Sequence, residues 1–333
     1  MNQLTENWRR IFLMAVLLGG LTSACTLQRQ PVSWVLLPDT QGYAEKHPEI
    51  LHSQTSWIAE HASEIDFVLQ QGDLTDDNNE EQWAVVKSAF SLLDDKVPYV
   101  LAVGNHDMGS QPGKFADVRN TELFNKTFPA GIMSQLPGFG GLFEVGKMEN
   151  AWYHFRKGKQ EWLVLTLEFG PRKSVLRWAN DIVARNPGKI VILNTHSYMY
   201  SDSTRQRGND SWRPQAYGIG KDSLDNAVND GEQIWDKLVR KHPNIRFVFS
   251  GHVLNSGVGT LISINDAGFP VYQFLANYQG GVKGSVSEGN GYLRKVTYDP
   301  RENRLSVTTY SPWLDAAHPG EDHNFTIRHV ILP

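Results

Sequence analysis

Five apolar runs in this chain each end on a residue that can bind a cation. Val32–Pro38 runs into Asp39-Thr40-Gln41, Asp66–Gln71 into Gly72-Asp73-Leu74-Thr75-Asp76, and Val97–Val103 into Gly104-Asn105-His106-Asp107. Further on, Lys189–Asn194 meets Thr195-His196, and Ile245–Phe249 meets Ser250-Gly251-His252. Singly, an Asp or Asn closing a strand reads as a turn former or a helix cap, and a lone histidine as a hydrogen-bonded core residue. Five in succession point instead to a shared site. Oxygen donors mixed with imidazoles suit a divalent ion such as Mn, Fe or Zn. Gly72, Gly104 and Gly251 read either as ordinary turn glycines or as places where the backbone must come close to such an ion.

The elements between these residues supply a way to gather them. Helix-like stretches at Glu49–Ala62 and Asn79–Leu93 separate the first three runs, which makes a βαβαβ pattern of parallel strands. A second set follows: Glu161–Leu167, helix Ser174–Ala184, Lys189–Asn194, helix Gly231–His242 and Ile245–Phe249. The last third alternates over short strands (Thr260–Ile264, Pro270–Leu275, Tyr292–Tyr298, Arg304–Tyr310, Thr326–Val330) with no room for helices between them. In an open α/β sheet, ligands bind outside the carboxyl ends of the strands, so Asp39, Asp73, Asn105, His196 and His252 are expected to converge. We read residues 33–333 as one domain with irregular insertions at 108–150 and 198–226.

Composition narrows the class. The chain has 333 residues, 40% hydrophobic and 20% charged, which is globular and long enough for a sizeable core. A net charge of −4 excludes a strongly basic nucleic-acid binder, and no specific nucleic-acid partner is evident. The single cysteine excludes a disulfide framework and a thiolate zinc cluster. Residues 1–25 form a leader: Arg9-Arg10, an apolar run over Ile11 to Leu21, then Leu21-Thr22-Ser23-Ala24-Cys25. It resembles the lipobox of bacterial lipoproteins. That resemblance implies a lipid on Cys25 as the membrane contact, with residues 26–32 as a tether. It places the protein in the bacterial cell envelope, on the outer membrane facing the periplasm if the host is Gram-negative.

Taken together, Gly72-Asp73-x-x-Asp76, Gly104-Asn105-His106-Asp107, His196 and Gly251-His252 resemble the calcineurin-like metallophosphoesterases. The resemblance covers about Ser33 to Asn277 and implies a four-layer αββα sandwich, two mixed β-sheets flanked by helices. It implies a dinuclear site in which Asp73 bridges two ions, Asn105, His196 and His252 complete one, and Asp39 holds the other. It makes His106 the general acid or transition-state stabiliser for the leaving oxygen, with Asp107 orienting its ring. A cation of this kind lowers the pKa of a coordinated water toward ~7 and polarises phosphoryl oxygens. The expected activity is hydrolysis of a phosphate monoester or diester.

Two positions depart from the pattern. Gln41 stands where the family has a histidine ligand, and Leu254 stands where its Gly-His-x-His ends in a second histidine. Both losses fall on the same ion, so one divalent ion is expected to be tight and the other weaker. Asn277, Gln279 or Asn255 are candidates to compensate. The same losses motivate the alternative of an envelope-anchored metal- or ligand-binding protein with little turnover. Arg205, Arg207 and Arg213 read as phosphate contacts or as a solvated loop. Trp212 and the phenylalanines of the first insertion could stack a base, cover a lipid or pack on each other, and Asp76 is either a cap or a support of the site.

Overall fold

The computed structural model of the protein describes residues 30–332. Its first sheet is built on three parallel strands, β1 (Val32–Leu37), β2 (Phe67–Gln70) and β3 (Tyr99–Leu101). Helices α1 (Gln41–Lys46), α2 (Pro48–Glu60) and α3 (Glu80–Phe90) provide the crossovers. Pro48 opens α2, where its missing N–H costs nothing. Asn79 caps α3 by accepting the Gln82 N–H, and Glu80 and Glu81 sit in the positive first turn.

The segment expected to be irregular, 108–150, contains α4 (Glu122–Thr127), α5 (Ala130–Met133) and strand β4 (Phe139–Leu142). Phe124 and Phe128 order it by packing on Trp83, at ring separations of 5.8 and 6.4 Å. Strand β5 (Ala151–Lys157) then pairs antiparallel with both β4 and β6 (Gln160–Leu167). Helix α6 (Lys173–Ala184) leads to β7 (Ile190–Thr195), and α7 (Gly231–Lys237) to β8 (Ile245–Ser250). α7 opens with a capping box between Asp230 and Gln233 and stops five residues short of the expected His242, tightening into a single 3₁₀ turn at Val239–Lys241.

Strands β9 (Val258–Ile264) and β10 (Pro270–Ala276) finish the second sheet, in the order β4-β5-β6-β7-β8-β10-β9. Strands β11 (Leu293–Asp299), β12 (Arg304–Ser311), β13 (Ala316–Ala317) and β14 (Phe325–Ile327) return to the first, in the order β13-β12-β11-β1-β2-β3 with β14 on β12. Among the described residues each sheet has seven strands and mixes parallel with antiparallel pairs.

Strand periodicity separates the layers. In β6, Trp162 and Val164 join the core between the sheets, while Leu163, Leu165 and Leu167 join a second core with Val175, Leu176 and Val183 of α6. The same alternation holds for Ile190 and Ile192 against Val191 and Leu193 of β7. Between the sheets, Trp34 of β1 meets Trp162 edge-on at 5.1 Å and Phe247 of β8 at 5.3 Å. On the other flank, Ile50, Leu51, Trp83 and Val86 of α2 and α3 are fully buried. The result is the helix–sheet–sheet–helix sandwich expected.

Among the described residues no helix is long and apolar enough to cross a membrane. The segment 1–25 expected to be a leader, with Cys25, lies outside the described residues.

Candidate metal centre

All the parallel strands that carry candidate residues present them at one end, and the chain turns sharply there. Asp39, Asp73 and His252 adopt positive φ of 37°, 51° and 74°. A left-handed conformation in such a residue costs on the order of 1–3 kcal/mol and persists where the surroundings enforce it. It folds each side chain back over the strand ends. The glycines beside them permit the crowding. A Cβ on Gly104 would lie 2.1 Å from Asp73 Oδ1, and one on Gly251 2.1 Å from Asp39 Oδ2. The backbone therefore approaches the ligand side chains themselves.

The centre is His196 Nε2. Within 3.0–3.1 Å of it lie Asp73 Oδ2, Asn105 Oδ1 and His252 Nδ1. Its ring is fixed from behind, because Nδ1 donates to the Gln71 carbonyl at 2.8 Å. The His252 ring is likewise fixed, with Nε2 donating to the Trp212 carbonyl at 2.6 Å. Each imidazole thus turns its other nitrogen inward, the arrangement by which outer contacts select a ligand tautomer.

A single N–H on His196 cannot satisfy three acceptors at once. A cation at about 2.0–2.2 Å from each donor would have neighbouring ligands roughly 3–3.5 Å apart, and the Asp73, His196 and His252 donor atoms lie within 4.8 Å of one another, those on His196 at 3.0–3.1 Å. The donor set therefore fits a divalent ion. Residues Asp73, Asn105, His196 and His252, expected to share one ion, are brought together.

Electrostatics agree. Burial works against the charge of Asp73, but the His196, His106 and His252 rings hold its carboxyl well below the usual range. Burial likewise depresses His196, yet Asp73 and Asp39 raise it to about 9. His252 is lowered to about 3 by burial and by the His196 charge.

The second expected position is built differently. Asp39 is buried, and both its oxygens accept the His252 backbone N–H at 3.0 Å. Burial raises its carboxyl well above the ordinary value, against the lowering effect of His196 and with the Asp73 charge adding to the rise. Gln41, on the first turn of α1, places Nε2 at 3.3 Å from Asp73 Oδ2 and in contact with Gln279 Oε1. Leu254 lines the cleft without a donor. Asn255 is turned away and donates to Ser201.

His106 stands at the edge of the cleft. Its backbone N–H donates to Asp73 Oδ1 at 3.0 Å. Its ring Nδ1 donates to the Asp76 carbonyl at 2.7 Å, with the Asp76 carboxylate at 3.4 Å, and the ring stacks on Phe115 at 3.9 Å. Asp107 does not take the orienting role expected of it. Its carboxylate accepts N–H groups from Leu74, Thr75 and Gly104 and the Thr75 hydroxyl. It clamps the two ligand loops together; Asp76 and Phe115 orient His106.

The cleft has a volume of about 260 Å³, and its lining includes Gln41, Asp76, His106, Trp212, Tyr217 and Gln279. Of the arginines considered, Arg205 is committed elsewhere, paired with Glu232 and stacked on Trp235. Arg213 lies 3.8 Å from Asp230. Phe124 and Phe128 pack internally, whereas Phe115 of the same segment lies on His106, and Phe169, outside that segment, packs on His196 and His252 at 5.7 and 5.1 Å. Sequence reading left three contributors unplaced. The carbonyls of Gln71 and Trp212 carry no side-chain signal, and Gln279 was one of three equal candidates.

Comparison with known proteins bears on this geometry. An uncharacterized protein of Bacillus subtilis (strain 168), YvnB, is 28% identical over 291 residues, which is 85% of this chain and 20% of that protein. The chain spans about a fifth of that relative's length. Purple acid phosphatase PPD1 from yellow lupin (Lupinus luteus) seeds superposes with a TM-score of 0.52 at 15% identity, over 90% of this chain and 54% of that one. NAD nucleotidase (NadN) of Haemophilus influenzae gives a TM-score of 0.47 at 12% identity, over 87% and 49% of the two chains. The model of the calcineurin-like phosphoesterases matches residues 35–256, a stretch holding every strand end from Asp39 to His252. By that match, and with the ligands gathered as described, the chain belongs to the calcineurin-like phosphoesterase family.

Proposed function

We propose that the protein is a metal-dependent hydrolase of phosphate monoesters or diesters. The observation that carries this reading is His106, held at Nδ1 by Asp76 and stacked on Phe115 beside the ligand cluster, an arrangement metal binding alone does not need. The family membership and the phosphatase among its structural relatives support it.

When bound, divalent ions supply acidified water and polarised phosphoryl oxygens. Asp73, Asn105, His196 and His252 hold and orient the tight one, and the carbonyls of Gln71 and Trp212 keep both imidazoles in the ligating tautomer. Holding Nδ1 as the donor to Asp76 leaves His106 Nε2 as the atom that passes a proton to the leaving oxygen. The Asp76 carboxylate lies 3.4 Å from Nδ1, on the side of the ring away from Nε2. Trp212 and Tyr217 wall the cleft and limit water around the reacting group.

The segment 21–25 supports a lipid on Cys25 and a place in the cell envelope. Strand β1 begins at Val32 and carries the cleft residues at its far end. A tether over 26–32 reaches at most about 25 Å.

The test is turnover of chromogenic phosphomonoesters and diesters by protein reconstituted with Mn, Fe, Co, Ni or Zn. Activity should vanish with chelator, and His106→Ala should lower kcat by ~10²–10⁴-fold, the usual range for a general acid, while metal content stays unchanged. A broad panel with no turnover would favour the second reading, a metal-dependent binding protein, for which the missing imidazoles at Gln41 and Leu254 speak.

A further inference from the structure

The carboxamide of Gln41 lies in an unusual setting. Its Nε2 faces two acceptors, Asp73 Oδ2 at 3.3 Å and Gln279 Oε1 in direct contact, so the amide hydrogens sit between two oxygens. Its own Oε1 is buried with no hydrogen-bond partner. Rotating the amide by half a turn would exchange the two atoms without giving up any bond made by Oε1. It would point three oxygens, from Gln41, Asp73 and Gln279, at one another, an arrangement stable only with a cation among them.

Gln279 is placed for this by its own turn. It follows β10, its backbone N–H donates to Asn277 Oδ1 at 3.0 Å, and its side chain lines the same cleft as Leu254. Asn277 shapes that turn and Asn255 points away, so of the three candidates only Gln279 reaches the Gln41 amide.

We propose that Gln279 replaces the imidazole lost at Leu254 and that, with Gln41, Asp39 and Asp73, it forms an all-oxygen position for a hard divalent cation of the Mn or Mg class. The neighbouring position, with two imidazoles, keeps the preference for zinc-like ions. The two positions would thus select different metals. This rests on the same site as the proposed hydrolase but is tested by binding, so it stands or falls apart from turnover.

The experiment is equilibrium dialysis with Mn²⁺ and elemental analysis on the intact protein already carrying its tight ion. Wild type should take up a second equivalent of Mn²⁺. Gln279→Leu should weaken that second uptake roughly tenfold or more and leave the first ion in place, which also reports that the site is folded. Gln279→Glu, adding charge to the same oxygen set, should strengthen it. Leu254→His should shift the second position toward Zn²⁺. The proposal is overturned if wild type takes up no second Mn²⁺, or if both Gln279 variants bind it as wild type does.

Discussion

Asp73 is buried and left-handed at φ 51°, it accepts from the His106 backbone, and the Gly104 backbone leaves its side chain no space for a neighbouring Cβ. A methyl at Gly104 would meet Asp73 Oδ1 at 2.1 Å and its backbone nitrogen at 2.2 Å, so the ligand must move. Gly104→Ala should weaken retention of the tight ion by roughly tenfold or more and erase most of the thermal stabilisation that added metal confers. Gly131→Ala is the control: it lies in α5 with nothing within 4 Å and should be neutral or stabilising by about 0.4–1 kcal/mol. Equal metal retention in the two variants would show that Gly104 is an ordinary turn glycine. At this scale the convergence of Asp73, Asn105, His196 and His252 was legible because a strand end in an open sheet restricts where such residues can stand. The choice between Asp76 and Asp107 was not. Both flank the same loops, and only the paths of Leu74, Thr75 and Gly104 reveal that their N–H groups consume the Asp107 carboxylate.

The elements were readable where one physical signal dominated. β6, β7 and β8 are apolar runs whose alternate residues feed different cores, β1 is an apolar run buried throughout, and α3 begins at a cap with acidic residues in its first turn. β4 was missed because the glycines of 108–150 suggested a loop, and β5, just past them, was left unassigned, although Phe139 and Tyr153 pack edge-on at 5.6 Å across the two. The junction of the sheets supplies the prediction at this scale. Trp34 touches Trp162 of β6 and Phe247 and Phe249 of β8, so Trp34→Ala opens a cavity that reaches two strands of the opposite sheet. Loss of about 3–5 kcal/mol is expected, measured as the shift in urea midpoint. A loss under about 1 kcal/mol would mean that the sheets close over the gap.

The folded unit extends well past residue 256, where the family match stops. β10 pairs with β8 and β11 with β1, so the last third of the chain completes both sheets and delivers Gln279 to the cleft. It also brings His318 and His323 into a stack at 3.5 Å, with Tyr278 and the Arg294 guanidinium nearby. Burial, then the charges of His318 and Arg294, lower His323 to about 3, and burial and Arg294 lower His318 as well. Both rings are therefore neutral in the folded protein at a pH where the unfolded chain, with histidines near 6.5, takes up protons. More protons bound to the unfolded state means that stability rises with pH. The contribution of this pair is complete above about pH 6.5 and is lost as the pH falls from there toward 3. In metal-saturated protein, His323→Phe keeps a ring against His318 and removes the titration, so its urea midpoint should fall less between pH 7.5 and pH 5 than that of wild type. Parallel falls in the two proteins would show that His323 takes up its proton equally in the folded and unfolded states, and that the acid sensitivity of the molecule arises elsewhere.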